Sequence, residues 1–245
     1  MNLTKRFYHS GETGDVGFVI DRIVEENPRQ PLLLAGISLG GNVLLKYLGE
    51  KGVALASQIT AAAAISVPFD LARASNHINQ GFARVYQRHF IKSLKLKALK
   101  KLERFPGLIS ADRLVRIRTM YEFDDAVTAP VHGFRDADHY YSSSSSLGWI
   151  DRISIPTLLL NARDDPFLPR AVLDDVRRVA QKNERLELEF PAHGGHVGFV
   201  AGWNPFRPVY YAERRACDFL AKHIRREVAL PNIDADRGRH VPTQI

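Results

Sequence analysis

Residues 31–48, PLLLAGISLGGNVLLKYL, decide how this chain is read. Pro31–Ala35 is a short apolar run with the character of a buried strand, and Val43–Leu48 continues as a helix with one apolar face. Between them stands Gly36-Ile37-Ser38-Leu39-Gly40, the pattern G-x-S-x-G. A serine in that pattern sits at the tip of a tight strand-to-helix turn, in strained backbone geometry. Gly36 and Gly40 are expected to remove side chains that would clash there. The helix that follows aims its first amides at the same spot, where a substrate oxygen can carry negative charge. A structural glycine-rich turn fits this stretch as well, so the rest of the chain has to decide.

Upstream, Gly14–Glu26 reads as a helix with Val16, Val19, Ile20 and Ile23 on one face, stopped by Asn27-Pro28. Downstream, Ile59–Val67 is a second buried strand whose small residues predict close packing against helices on both faces. From residue 69 to 148 the period is helical. Ile91, Leu94, Ala98, Leu102 and Phe105 form one stripe there, with Lys97, Lys100, Lys101 and Arg104 opposite. Ser110–Tyr121 is expected to be one further helix, and the run Ser142–Ser146 a turn and helix N-cap. Strand character returns at Pro156–Leu160 and Leu186–Phe190, each followed by a loop and then a helix. Alternating strands and helices imply a parallel α/β sheet, interrupted by a helical cap insertion. The domain reading is 1–68 core with the serine turn, 69–148 cap, 149–229 core, and 230–245 a mobile tail.

Composition narrows the classes. The 245 residues suffice for one domain with an insertion, and 45% hydrophobic with 25% charged residues is ordinary for a globular protein. The single cysteine, Cys217, cannot form an internal disulfide, which suits a reducing, cytoplasmic compartment. No zinc-type Cys/His spacing occurs, so no metal or cofactor is expected. The +7 net charge is concentrated in residues 69–121, with 12 Lys/Arg against 3 Asp/Glu. Without a recognisable nucleic-acid module, that charge is read as a solvated face or a peripheral contact with anionic membrane.

A serine nucleophile needs a base, and the base an orienting acid. Parallel sheets carry functional loops at the carboxyl ends of their strands. After strand 156–160 comes NARDDPFLP, offering Asp164 and Asp165; after strand 186–190 comes PAHGGHVG, offering His193 and His196. The order serine, acid, histidine is that of the α/β-hydrolases. GISLGGN at 36–42, FDDAVTAPVHGF at 123–134, NARDDPFLP at 161–169 and HGGHVGF at 193–199 together resemble the YheT-like branch of that superfamily. The resemblance covers about residues 5–225. It implies a serine hydrolase of short- to medium-chain or lipid acyl esters, with Ser38 as nucleophile, His196 as base and Asp165 as acid. Asp164 and His193 remain as alternates, and His132 as a structural or cap-lining histidine.

The stabilising site for the oxyanion is incomplete in the sequence. Leu39 supplies one amide; the second is expected from the loop after the third strand of such a sheet, and no such loop precedes Ser38. A member of this branch is expected to carry roughly 80 or more residues ahead of this segment, at about 20 or more per strand with its connection. Without that neighbour, strand 31–36 is expected to lie on an open edge, leaving the chain poorly soluble or oligomeric and only weakly active. Two competing readings follow: an inactive or complementation-dependent fragment, and a basic module that binds membrane or nucleic acid without catalysis.

Overall fold

A computed structural model describes residues 3–202 and 207–228. The expected tail at 230–245 lies outside the described residues. Four strands, β1 (Leu32–Ile37), β2 (Ile59–Ile65), β3 (Thr157–Leu160) and β4 (Leu186–Glu189), pair in parallel in the order β1-β2-β3-β4. Period-two alternation divides their side chains between two layers. Ala62, Ala64 and Leu159 face one cluster, with Leu44, Leu48 and Val176. Ala61, Ala63, Leu158 and Leu160 face the other, with Ala212, Ala216 and Phe219. The alanines of β2 let helices lie close on both faces, as their size predicts.

On the first face lie α1 (Gly14–Glu26) and α2 (Leu39–Lys51). The buried residues of α1 are Gly17 and Ile20, with Val16 and Val24 partly covered. Val19 and Ile23, expected on the buried face, are 53% and 38% exposed. The helix is rotated because Gly17 faces Tyr47, whose ring would lie 3.2 Å from an added Cβ. Among the described residues β1 has no strand on its outer side.

Between β2 and β3 the chain is helical: α3 (Leu71–His77), α4 (Ala83–Arg104), α5 (Ala111–Arg116), α6 (Met120–Phe123), a π turn at Asp124–Thr128, α7 (Ala129–His132) and α8 (Ala137–Ser144). The Ile91, Leu94, Ala98 and Leu102 stripe of α4 packs on Leu114, Ile117 and Phe123. Lys97 and Lys100 are exposed, but Lys101 departs from the expected solvent face and is 1% exposed. Its ammonium lies 5.2 Å from the Phe7 ring, and burial lowers its pKa. The expected helix 110–121 is two: α5 stops at Arg116, and a reciprocal capping box between Thr119 and Glu122 starts α6. The serine run closes α8 and then opens a single 3₁₀ turn, Ser146–Gly148, with Ser145 at the N-cap position but without a side-chain cap bond; Ser144 and Ser146 are buried. The last helices are α9 (Arg170–Ala180) on the α2 face and α10 (Tyr211–Val228) on the other. A two-stranded antiparallel ladder, β5 (Val200–Ala201) with β6 (Val209–Tyr210), precedes α10.

Polar hubs join these parts. The fully buried Asn42 donates to the carbonyls of Ser10 (2.9 Å) and Ser144 (2.8 Å) and accepts from the Ser146 amide (2.9 Å). His9 packs against the rings of His132, Phe134 and Tyr140, with centroids 4.5–5.6 Å away. Asp124 accepts from the hydroxyls of Thr128 (2.6 Å) and Tyr141 (2.8 Å).

The turn glycines yield a test. An added Cβ on Gly36 would lie 2.6 Å from the Gly40 carbonyl oxygen, and one on Gly41 2.7 Å from a Val67 methyl, while Gly40 has open space. The second obligatory glycine is therefore Gly41, one residue beyond the expected Gly40. Gly36→Ala and Gly41→Ala should each destabilise by about 1–3 kcal/mol. Gly40→Ala should be neutral or stabilise by up to ~1 kcal/mol, as urea melts will show.

His9 and Asp124 pull stability in opposite directions with pH. Burial, with His132 adjoining, lowers His9 from 6.5 to about 4. Burial raises Asp124 from 3.8 to about 6 against the hydrogen bonds of Thr128 and Tyr141. Below about 6.5 the unfolded chain protonates His9 while the fold does not, so this contribution is lost as pH falls to about 4. Between about 4 and 6 the fold retains the Asp124 proton that the unfolded chain releases, so this contribution is lost as pH rises. Asp124→Asn should leave stability rising with pH across that window, and His9→Phe should leave it falling. Urea melts at stepped pH read both slopes; equal signs in the two variants would overturn the assignment.

Candidate functional site

The carboxyl ends of all four strands open onto one region, and the loops there carry the expected residues. Ser38 follows β1 and precedes α2 with φ 53° and ψ −123°, a backbone conformation that favours glycine. Its amide donates to the Ile65 carbonyl at 2.8 Å, which holds the turn against the end of β2. The fully buried Asn161 does the same between β3 and β2, accepting from the Val67 amide at 3.0 Å and donating to the Val67 carbonyl at 3.2 Å.

The Ser38 hydroxyl lies 2.8 Å from His196 Nε2, and His196 Nδ1 lies 2.9 Å from an Asp165 oxygen. An ionised carboxylate only accepts, so Nδ1 carries the proton and Nε2 is left to accept from the serine. Asp165 is 4% exposed, and its other oxygen accepts from the Phe167 amide at 2.8 Å. The His196 loop is fixed by close approach: an added Cβ on Gly194 would lie 2.7 Å from the Phe199 ring, and Gly195 has φ +61°. The Ser66 hydroxyl donates to the His196 carbonyl, and the Phe167 ring packs on the imidazole at 4.4 Å.

The alternates sit elsewhere. Asp164 accepts from the Gly195 amide at 2.8 Å and lies 3.3 Å from Nδ1 of His193, whose side chain is exposed. Burial alone would raise the Asp164 pKa, but the Gly195 amide and His193 outweigh it and hold it below the ordinary value. This pair staples the histidine loop from outside. His132 is structural: Nδ1 lies 2.7 Å from the Thr128 carbonyl, and Nε2 accepts from the Phe7 amide at 3.1 Å.

A cleft of ≈ 170 Å³ opens at Ser38, Leu39 and His196. Leu71, Ala74, Ile78 and Met120 wall it from the helical segment, and Asp124, Tyr140 and Tyr141 add polar atoms. The Leu39 amide belongs to the first turn of α2, which has no partner within the helix. Ser10 also lines the cleft, but its amide donates to the Tyr140 hydroxyl at 2.9 Å. Asn42, Asp124, Asn161 and Phe167 carried no role in the sequence reading, although each falls inside a stretch that carried the resemblance. Ser66 had no such signal: its role comes from a loop 130 residues away.

The described residues include no helix long and apolar enough to cross a membrane. Residues 4–202 match the alpha/beta hydrolase fold family. The chain is 37% identical over 225 residues to the putative esterase YheT of Escherichia coli (strain K12), covering 91% of this chain and 64% of that protein. It is 30% identical over 232 residues to mouse (Mus musculus) phospholipase ABHD3, covering 94% of this chain and 55% of that protein. The chain thus spans under two thirds of the length of these relatives. A Pyrococcus horikoshii acylaminoacyl peptidase superposes with TM-score 0.51 at 12% identity, covering 91% of this chain and 29% of that one, a likeness of fold alone. With the family matched across the serine turn, the helical segment and the histidine loop, this chain belongs to the α/β hydrolase fold family.

Proposed function

We propose that the chain hydrolyses carboxylic esters through an acyl-enzyme. The continuous hydrogen-bonded path from Ser38 through His196 to Asp165, at 2.8 and 2.9 Å, carries this reading. His196 Nε2 takes the hydroxyl proton as Ser38 Oγ attacks the ester carbon, while Asp165 keeps the ring oriented and stabilises the imidazolium. The oxyanion develops beside the Leu39 amide. His196 then protonates the departing alcohol, and a water activated by the same imidazole releases the acid from Ser38. Asp164 is outside this path.

Residues 69–148 act as the cap, and the apolar wall of Leu71, Ala74, Ile78 and Met120 takes the acyl chain. The modest cleft favours short- to medium-chain acyl groups. Relatives named esterase and phospholipase agree with an ester or lipid substrate. Peripheral contact with an anionic membrane is also part of the reading: Phe82, Val85 and Tyr86 are exposed beside Arg84 and Arg88 at the start of α4.

A fluorophosphonate probe should label Ser38, and Ser38→Ala should abolish labelling; label elsewhere, or none, would refute the nucleophile. Asp165→Asn should lower turnover of p-nitrophenyl esters by about 10⁴-fold through the wrong imidazole tautomer. Asp164→Asn should cost far less, because it loosens a loop rather than misprotonating a base. A reversed ranking would exchange the two aspartates. Changing exposed Lys97 and Lys100 together to Gln should weaken partition onto anionic vesicles by roughly tenfold or more, at about 1 kcal/mol per lysine. Unchanged partition would make that face merely solvated.

A further inference from the structure

Asp124 lines the cleft that holds Ser38 yet takes no part in the proton path. It sits at the head of a π turn inside a helical run, an arrangement frequent at functional sites. Its hydrogen bonds have a direction. The Tyr141 hydroxyl lies 2.8 Å from Asp124 and 3.0 Å from Ser75 Oγ. A phenol has one proton, which the carboxylate takes; Ser75 must then donate to the Tyr141 oxygen. Thr128 likewise spends its proton on Asp124. Every hydroxyl proton in this network is directed inward, toward the carboxylate. The cleft is therefore offered lone pairs, on Asp124 and on Ser75, which also lines it.

We infer that Asp124 sets the ligand selectivity of this cleft, accepting a hydrogen bond from a neutral, hydroxyl-bearing part of the substrate and repelling anionic ligands, carboxylic acid products among them. The inference rests on the reading of Ser38 as the reacting group, since it concerns the same cleft. Its carboxylate is hydrogen-bonded by two neutral hydroxyls, so its charge is dispersed but not cancelled. In a wall that is otherwise largely apolar, a like charge on the ligand is felt more strongly than in water. Burial raises the Asp124 carboxyl to about 6, so it is ionised above neutrality.

Two ligands of one chain length separate the chemistry: octane-1,2-diol, a neutral hydroxyl donor, and octanoate, an anion. Calorimetric titration at about pH 8, roughly two units above the raised carboxyl, needs no turnover. The diol should bind the wild-type chain at least about tenfold more tightly than octanoate. Asp124→Asn, which keeps the side-chain shape, should bring the two within about threefold. Tyr141→Phe, which removes a donor but leaves the charge, should preserve the preference, a pattern that a purely structural role of Asp124 would not produce. Equal binding of both ligands to wild type, no binding of either, or a preference that survives Asp124→Asn would overturn the inference. Fluorophosphonate labelling of Ser38 is scored separately. Labelling without selectivity removes the subsite and leaves the hydrolase; selectivity without labelling does the reverse.

Discussion

Ser38 is held in a backbone conformation that an L-residue adopts only under constraint, at a cost of about 1–3 kcal/mol. The surroundings over-determine it. Gly36 has no Cβ because the Gly40 carbonyl would lie 2.6 Å away, and Gly41 has none because Val67 and the Gly36 carbonyl close on it. The Ser38 amide is tied to the end of β2. These contacts fix where β1 stops, where α2 starts and how closely α2 lies on the sheet. A hydroxyl aimed at the loops of β3 and β4 is the result.

The histidine is brought to that hydroxyl by contacts that do not include it. Asp164 grips the Gly195 amide, Ser66 grips the His196 carbonyl, and Phe199 fills the space that a side chain on Gly194 would need. Asn161 locks the ends of β2 and β3 to each other. Asn42 extends the same frame to the helical segment by tying α2 to Ser10 and to the end of α8. An ion pair of Arg73 with Asp175 joins α3 to α9 at 2.5 Å. The cleft wall and the serine turn are thus referenced to common buried amides rather than to flexible surface contacts.

Much of this was readable because it depends on local pattern. The four strands follow from apolar runs, and where those runs end places Ser38, the pair Asp164-Asp165 and the pair His193 and His196; the family resemblance, not spacing, singled out Asp165 and His196. What escaped was set by partners distant in sequence. Periodicity assigned Lys101 to solvent, but Phe7 lies over it. The helix expected through Ser110–Tyr121 broke because Thr119 and Glu122 cap a new one. Val19 looked buried by spacing, and Tyr47 packing at Gly17 turned α1 away from that face. The serine run does start a short 3₁₀ turn, but nothing local foretold that it would be buried: the Ser146 amide is held by Asn42, 104 residues upstream.

Two buried aspartates, Asp124 in the cleft wall and Asp165 on the His196 nitrogen that faces away from Ser38, have surroundings that set them apart. Asp165 accepts from a ring N–H and a backbone amide, and in the proposed mechanism that ring is the group that takes up the proton. Asp124 is hydrogen-bonded by two neutral hydroxyls, and burial raises its pKa. The sequence holds both in D-D pairs, Asp124-Asp125 and Asp164-Asp165, and in each pair the neighbour turns outward to hold structure. Asp125 takes Arg113 and the Ala137 amide, and Asp164 takes the Gly195 amide. Each doubled acid therefore supplies one buried group and one staple, which is why spacing alone could not say which member of either pair turns inward.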